Sequence, residues 1–307
     1  MDVWIVFTPI LKILLYLAGL AVVGTKLFDL HFSKFQTIDN MEYCNFLSRK
    51  SCLYGLIISV GMIFSIAGNL GGEFLSILDP IILELALTSK AGYAAIFALI
   101  GFILTVISTR HELVSLKLLG WLGIGFVLLS FIYTGHSQKS GILAQILLLF
   151  HLICVAFWLG SFIPLYNMCS SAKTSNLHEI AHRFGILAIF YLAVLIISGG
   201  SFAYILMNDI SLLFSTSYGN AFLIKMSLVS LLLLFGALNK FKNVPLIKNE
   251  PTVGSIQLKK SIRIEMFIAL LILSLTSILT TSMTLPCLLY TSPSPRDVEE
   301  SRMPSSA

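Results

Sequence analysis

Residues 142–166 read ILAQILLLFHLICVAFWLGSFIPLY, 25 consecutive positions without an aspartate, glutamate, lysine or arginine. At 1.5 Å per residue a helix of that length measures about 37 Å, enough to cross a hydrocarbon core of about 30 Å. No water inside a bilayer can satisfy backbone N–H and C=O groups, so a segment that crosses it has to be helical. The stretch carries a single histidine, His151, and a single cysteine, Cys154.

Seven further apolar stretches of membrane length flank it, at about 3–28, 52–75, 91–109, 116–135, 184–207, 219–239 and 264–286. The chain therefore reads as all-α, a polytopic transmembrane helix bundle of about eight spans surrounded by membrane lipid. Composition agrees. Hydrophobic residues make up 57% and charged residues 11% of the 307, against about 25% charged in soluble domains, and the mean hydropathy is +0.92. The first apolar stretch is too long for a cleaved signal peptide and is expected to stay as a helix. A shorter run, Ile77 to Leu87, is interrupted by Asp79, Pro80 and Glu84 and reads as a surface or re-entrant piece. The longest polar connection, Lys240 to Arg263, contains Pro245, Pro251 and Gly254 and reads as a loop.

The placement of lysine and arginine sets an orientation. The odd-numbered connections carry fourteen: Lys26, Lys34, Arg49, Lys50, Arg110, Lys117, Lys173, Arg183, Lys240, Lys242, Lys248, Lys259, Lys260 and Arg263. The even-numbered connections carry two, Lys90 and Lys139. Positive charge is retained on the cytoplasmic side, so both termini are expected outside. Asp2, Glu73, Asp79, Glu84 and Asp209 then give the outer face an acidic rim that would attract cations. Dispersed over short loops, the basic residues do not form a nucleic-acid surface. No nucleotide-binding loop, kinase motif or hydrolase elbow is present, so the chain is expected neither to be an enzyme nor to drive transport with ATP. Five cysteines without a CxxC or zinc-like spacing do not outline a disulfide framework.

Titratable and metal-binding side chains inside a membrane are costly, which makes them functional candidates. His151 lies nine residues into the fifth span, about 14 Å deep and near the midplane. A buried neutral imidazole there can bind a metal ion, ligate haem, or hydrogen-bond a neighbouring helix. His136 closes the fourth span on the outer side, a short connection away. Cys154 follows His151 by three residues and shares its helix face. Met207 and Met283 lie near outer span ends, and Met62 is mid-span. Imidazole, thiolate and thioether together suit monovalent copper, although methionine also serves simply as a packing residue. Lys225, in the outer half of the seventh span, and Lys12, in the first, either snorkel outward or pair with an anion. Glu265 opens the eighth span, where Arg263 is the expected companion. His31, His111, His178 and His182 sit among basic inner segments and read as solvated. The candidate metal ligands are thus His136, His151, Cys154, Met207 and Met283. The alternative cofactor is haem b, with His136 or His151 as an axial ligand.

Several small anchors occur in a telling order: Gly135-His136; His151 followed by Trp158-Leu-Gly160 and Pro164-Leu; His182-Arg183-Phe184-Gly185; Ser198-Gly199-Gly200; Tyr218-Gly219 with Lys225; Gly236-Ala-Leu-Asn239-Lys240; and Arg263-Ile-Glu265. This pattern resembles the copper-resistance protein D family of bacterial inner-membrane proteins. Ser161 stands where that family has a second glycine, and Phe150 where an acidic residue often precedes the histidine. The likeness spans about 130–286, which divides the chain into an N-terminal four-span region (1–129) and a copper-resistance-D-like four-span domain (130–286). It implies copper homeostasis at the inner membrane, with a periplasmic copper-binding protein as a partner. The expected activity is import of copper through His/Met/Cys sites. The rivals are a haem-binding redox protein and a copper-delivery assembly factor without transport.

The last residues are of another kind. Cys287 to Asp297 reads CLLYTSPSPRD and Ser301 to Ala307 reads SRMPSSA. Both resemble translated pieces of a sequencing-library adapter, in one frame and in order, with Val298, Glu299 and Glu300 where a sample index would fall. Residues 287–307 are therefore expected to be a foreign tail.

Overall fold

The structure, a computed structural model, describes residues 3–109, 114–134, 141–170, 176–207 and 212–281. Among these residues eight helices are long and apolar enough to cross a membrane. They are α1 (Val3–Phe32), α2 (Ile38–Gly71), α4 (Lys90–Ser108), α5 (Val114–Tyr133), α6 (Gly141–Gly160), α8 (Leu177–Met207), α10 (Ser217–Leu238) and α12 (Pro251–Thr281). Short helices α3 (Pro80–Thr88), α7 (Phe162–Met168), α9 (Leu212–Ser215) and α11 (Val244–Asn249) lie between them, and no strand occurs among the described residues. The protein is an all-α, multi-pass membrane protein, as the sequence led us to expect. The adapter-like tail lies outside the described residues.

Helix starts follow local side-chain chemistry. Thr37 accepts the Asn40 amide at 3.3 Å, Ser89 the Gly92 amide at 3.0 Å and Thr216 the Gly219 amide at 3.0 Å. Each satisfies a donor that the first helical turn leaves free. Asp79 does the same for α3, accepting the Ile81 amide at 2.9 Å ahead of Pro80. The Ile77–Leu87 run is accordingly a 3₁₀ turn and a nine-residue helix rather than a span.

Two expectations about boundaries are corrected. The second helix begins at Ile38, not near 52, because its first turns carry polar residues that hydropathy does not register. The presumed loop from Lys240 to Arg263 is helical almost throughout. A π-helical turn, Asn239–Asn243, leads from α10 into α11, and α12 starts directly at Pro251. Proline lacks the amide hydrogen that a first turn cannot use, so Pro245 and Pro251 open helices here rather than break them. Gly254 is not a turn residue either; it lets α12 lie against the Ile247 backbone of α11.

Helix α1 is the hub. It packs on α2, α6 and α12, and its Val22, Phe28 and Phe32 are wholly buried. Its contact with α6 is glycine on glycine: a β-carbon on Gly160 would come within 2.5 Å of the Gly24 Cα and 2.6 Å of the Leu20 carbonyl. Such close backbone approach supplies dispersion contact where lipid gives no hydrophobic drive. Hydrogen bonds between helices tie the remaining contacts of α1. Ser277 Oγ on α12 donates to the Pro9 carbonyl at 2.8 Å, and Asn69 Nδ2 on α2 donates to Thr8 Oγ at 2.8 Å. Packing is uneven around this hub. In α1, α2, α4, α5 and α12, 44% of the apolar stretch is buried, in α6 28%, and in α8 and α10 11%. The backbones of α8 and α10 make few close approaches; their side chains meet at one end, where Leu206 and Phe202 pack with Tyr218, Phe222 and Leu279.

Candidate functional site

The least packed helices border the side chain that the sequence singled out. His151 projects from α6 toward α8, where Gly199 faces it: a β-carbon on Gly199 would lie 2.8 Å from Nδ1 and 2.9 Å from Cε1. The Leu195 carbonyl lies beside the ring and acts on it as a distant hydrogen-bond acceptor, while also accepting from Ser198 Oγ at 3.3 Å. Lys225 on α10 is the charged group that acts on His151. The imidazole thus packs on the α8 backbone within electrostatic reach of Lys225 on α10. Its Nδ1 is buried and, among the described residues, makes no hydrogen bond of good geometry. A buried polar nitrogen left unpaired costs about 1–3 kcal/mol, a penalty that a bound ligand removes. The missing side chain of Gly199 lets the imidazole pack directly against the α8 backbone. A ring packed this closely on the α8 backbone leaves no room for a porphyrin on its Nδ1 side.

Cys154 lies one turn further along α6, buried and present as a free thiol. Its neighbour on α8 is Tyr191. Tyr191 stacks on Phe157 at 4.0 Å between ring centroids, and Phe157 stacks on Phe184 at 5.3 Å. The Tyr191 hydroxyl shares a 2.9 Å hydrogen bond with His31 Nε2. His31, read from sequence as solvated, is in fact half-buried in α1, edge-on to Phe157 at 5.5 Å. It was overlooked because it lies between Lys26 and Lys34. Tyr191 on the facing helix, 160 residues away, could not be paired with it from sequence. His151, Cys154, Tyr191 and His31 therefore mark a discontinuous polar track. It runs from the middle of the bundle to the end bearing most lysines and arginines, the basic end.

The other candidates fall as follows. His136 and Met283 lie outside the described residues, as does His111. Met207 closes α8, and its side chain is not among those described. Met62 is buried in the α1–α2–α4 core, a packing position. Lys12 is buried rather than snorkelling. His178 and His182, expected in a loop, lie in the first turns of α8 with their rings stacked 5.9 Å apart. Among the described residues, no three His, Cys, Asp or Glu side chains come together as a metal cluster. Any ion at His151 is therefore held by few protein ligands. Cys169, just beyond the fifth span, is an unsuitable one: burial pushes its thiol up to about 12.

Glu265 is a further correction. Arg263 does not accompany it but donates to the Tyr166 hydroxyl at 3.1 Å. Asn239 Nδ2, from the π-helical turn, donates to Glu265 Oε1, and Ser261 Oγ donates to the same oxygen at 3.4 Å.

Comparison with known proteins adds the following. A family model described as Copper resistance protein D-like, N-terminal domain, matches residues 1–146, and one described as Copper resistance protein D matches residues 178–279. No curated protein and no solved structure matches the chain.

Proposed function

Because the chain belongs to the copper resistance protein D family, a family of copper-resistance membrane proteins, we propose that it carries copper inward across a bacterial inner membrane, with His151 as the side chain the ion contacts at mid-depth. The observation that carries this reading is the buried Nδ1 of His151, which makes no hydrogen bond of good geometry among the described residues and lies against the bare backbone of Gly199. Imidazole followed by a thiol one turn away is a donor set for monovalent copper. An ion leaving His151 meets Cys154 and then His31, so the track has an exit at the basic end. The fourteen-to-two division of lysine and arginine makes that end cytoplasmic and puts both termini outside. The acidic outer segments then face the periplasm, where a copper-binding protein would deliver the ion. His136, Met207 and Met283 complete the outer part of the route in this reading.

Lys225 bears on the charge of the cargo. Its ammonium repels a divalent ion at His151 twice as strongly as a monovalent one at the same distance, which favours Cu(I).

The test is replacement of His151 by Ala and measurement of cellular copper. The expected result is a loss of protein-dependent accumulation at unchanged membrane levels of the protein. Wild-type accumulation by a folded, expressed His151→Ala variant would refute the reading.

A further inference from the structure

A second site lies away from His151, at the basic end. Helices α6, α8, α10, α11 and α12 enclose a cavity of 220 Å³. Its walls are apolar, with Trp158, Phe184 and Ile262 among them, and Asn239, Lys240 and Glu265 also line it. Glu265 is 1% exposed. Both hydrogen bonds it receives among the described residues end on Oε1, so Oε2 receives none. A carboxyl oxygen without a partner in an apolar chamber is costly unless a ligand engages it. The copper track does not use this residue.

The geometry points to a single-ring membrane quinone, or its quinol, as the occupant. Size is the first reason. A 150 Å³ apolar cavity accepts benzene, so 220 Å³ accommodates a substituted six-membered ring but not a fused four-ring lipid or a phospholipid head. Chemistry is the second. Oε2 of a protonated Glu265 donates to a quinone carbonyl, and Oε2 of the carboxylate accepts from a quinol hydroxyl. A fatty acid would set its own carboxylate against the ionised form of Glu265, and like charges repel; a quinone and its quinol suit both forms. A plain acyl chain would leave Oε2 unpaired. Depth and access agree. Glu265 marks the boundary between the Lys259, Lys260 and Arg263 cluster and the charge-free run 266–281. Here α8 and α10 are joined by the Lys240 ammonium, which donates to the Gly185 carbonyl at 3.0 Å. Between this bridge and the far-end packing of Leu206 on Tyr218 the two helix backbones make few close approaches, so the isoprenoid tail leaves between them into lipid.

The test uses the full chain purified into phosphatidylcholine nanodiscs free of quinone. They are titrated with a decyl-tailed dimethoxy-methyl-benzoquinone, and quenching of tryptophan fluorescence is followed. Saturable quenching above that of protein-free discs is expected. Glu265→Ala should weaken binding about tenfold, the equivalent of one lost hydrogen bond, and Glu265→Gln, which keeps a donor, should restore most of it. Ala188→Phe fills the chamber without touching Glu265 and should abolish binding, so the test survives if Glu265→Ala does not fold. Quenching that follows simple partition into lipid overturns the proposal. So does affinity unchanged in both Glu265→Ala and Ala188→Phe, or equal competition by decanoate. The copper reading stands or falls separately, since His151 is not part of this chamber.

Discussion

Gly199 and Gly200 are adjacent in sequence and opposite in environment, which turns the His151 site into a sharp test. An alanine β-carbon at 199 would lie 2.8 Å from Nδ1 and 2.9 Å from Cε1, whereas ordinary contact begins near 3.4 Å. The imidazole must then retreat by about 0.6 Å, more than the ~0.5 Å within which a binding constellation has to be held. At position 200 a β-carbon meets nothing within 4 Å. Energetically, alanine for glycine inside a helix gains about 1 kcal/mol, and overpacking costs about 1–3 kcal/mol. Gly199→Ala should therefore be between neutral and about 2 kcal/mol less stable, and Gly200→Ala at least as stable as wild type. The assay is copper accumulation by mass spectrometry, normalised to protein in the membrane, with thermal unfolding in detergent as the control. Gly199→Ala should cut accumulation about tenfold, the scale on which displaced metal-site neighbours act, and Gly200→Ala should leave it unchanged. Undiminished accumulation by a folded Gly199→Ala variant would show that the space beside Nδ1 is not where copper passes.

Two further outcomes follow from the packing. Gly160→Val meets the Gly24 and Leu20 backbone rather than a yielding side chain, so it should cost about 3 kcal/mol, the upper part of the overpacking range; a melting temperature equal to wild type would disprove the glycine contact. Asn239→Ala strips the buried Glu265 carboxyl of a donor and should destabilise the protein by about 1–3 kcal/mol, while removing Arg263 by Arg263→Ala should change stability far less. Thermal unfolding of the two variants side by side decides it, and the reverse order would restore the Arg263–Glu265 pairing.

The eight spans were legible because crossing a bilayer imposes a length, and a run of about twenty uncharged residues announces itself whatever it packs against. The ends of α2 and α12 were not, since each helix continues past the hydrocarbon into polar turns where hydropathy carries no signal. His151 was legible for the same reason as its span: one histidine in 25 uncharged residues stands out. Its partner Gly199 was visible only as one of a glycine pair, because the face of α8 that turns to α6 is a tertiary fact. Glu265 was assigned to Arg263 on nearness in sequence. Residues two apart on a helix point to different faces, and the true donor, Asn239, is 26 residues away at the end of the preceding span.

The uneven packing also indicates which wall of the site can move. Helix α6 carries His151 and is held to α1 backbone to backbone at Gly24 and Gly160; separating them would open a gap along the hub helix, whose Val22, Phe28 and Phe32 are wholly buried. The opposite wall is different. Helices α8 and α10 are buried over 11% of their apolar stretch, and structure with few buried contacts opens at the least free-energy cost. Nor is α8 held equally along its length. Toward the basic end Tyr191 and Phe184 stack on Phe157 and Tyr191 bonds His31, whereas at Gly199 and Gly200 it offers α6 no side chain at all. Its far end is held instead to α10 and α12, through Phe202 and Leu206 on Tyr218 and Leu279. On the copper reading, access to His151 therefore comes from α8 and α10 moving together away from a stationary α6.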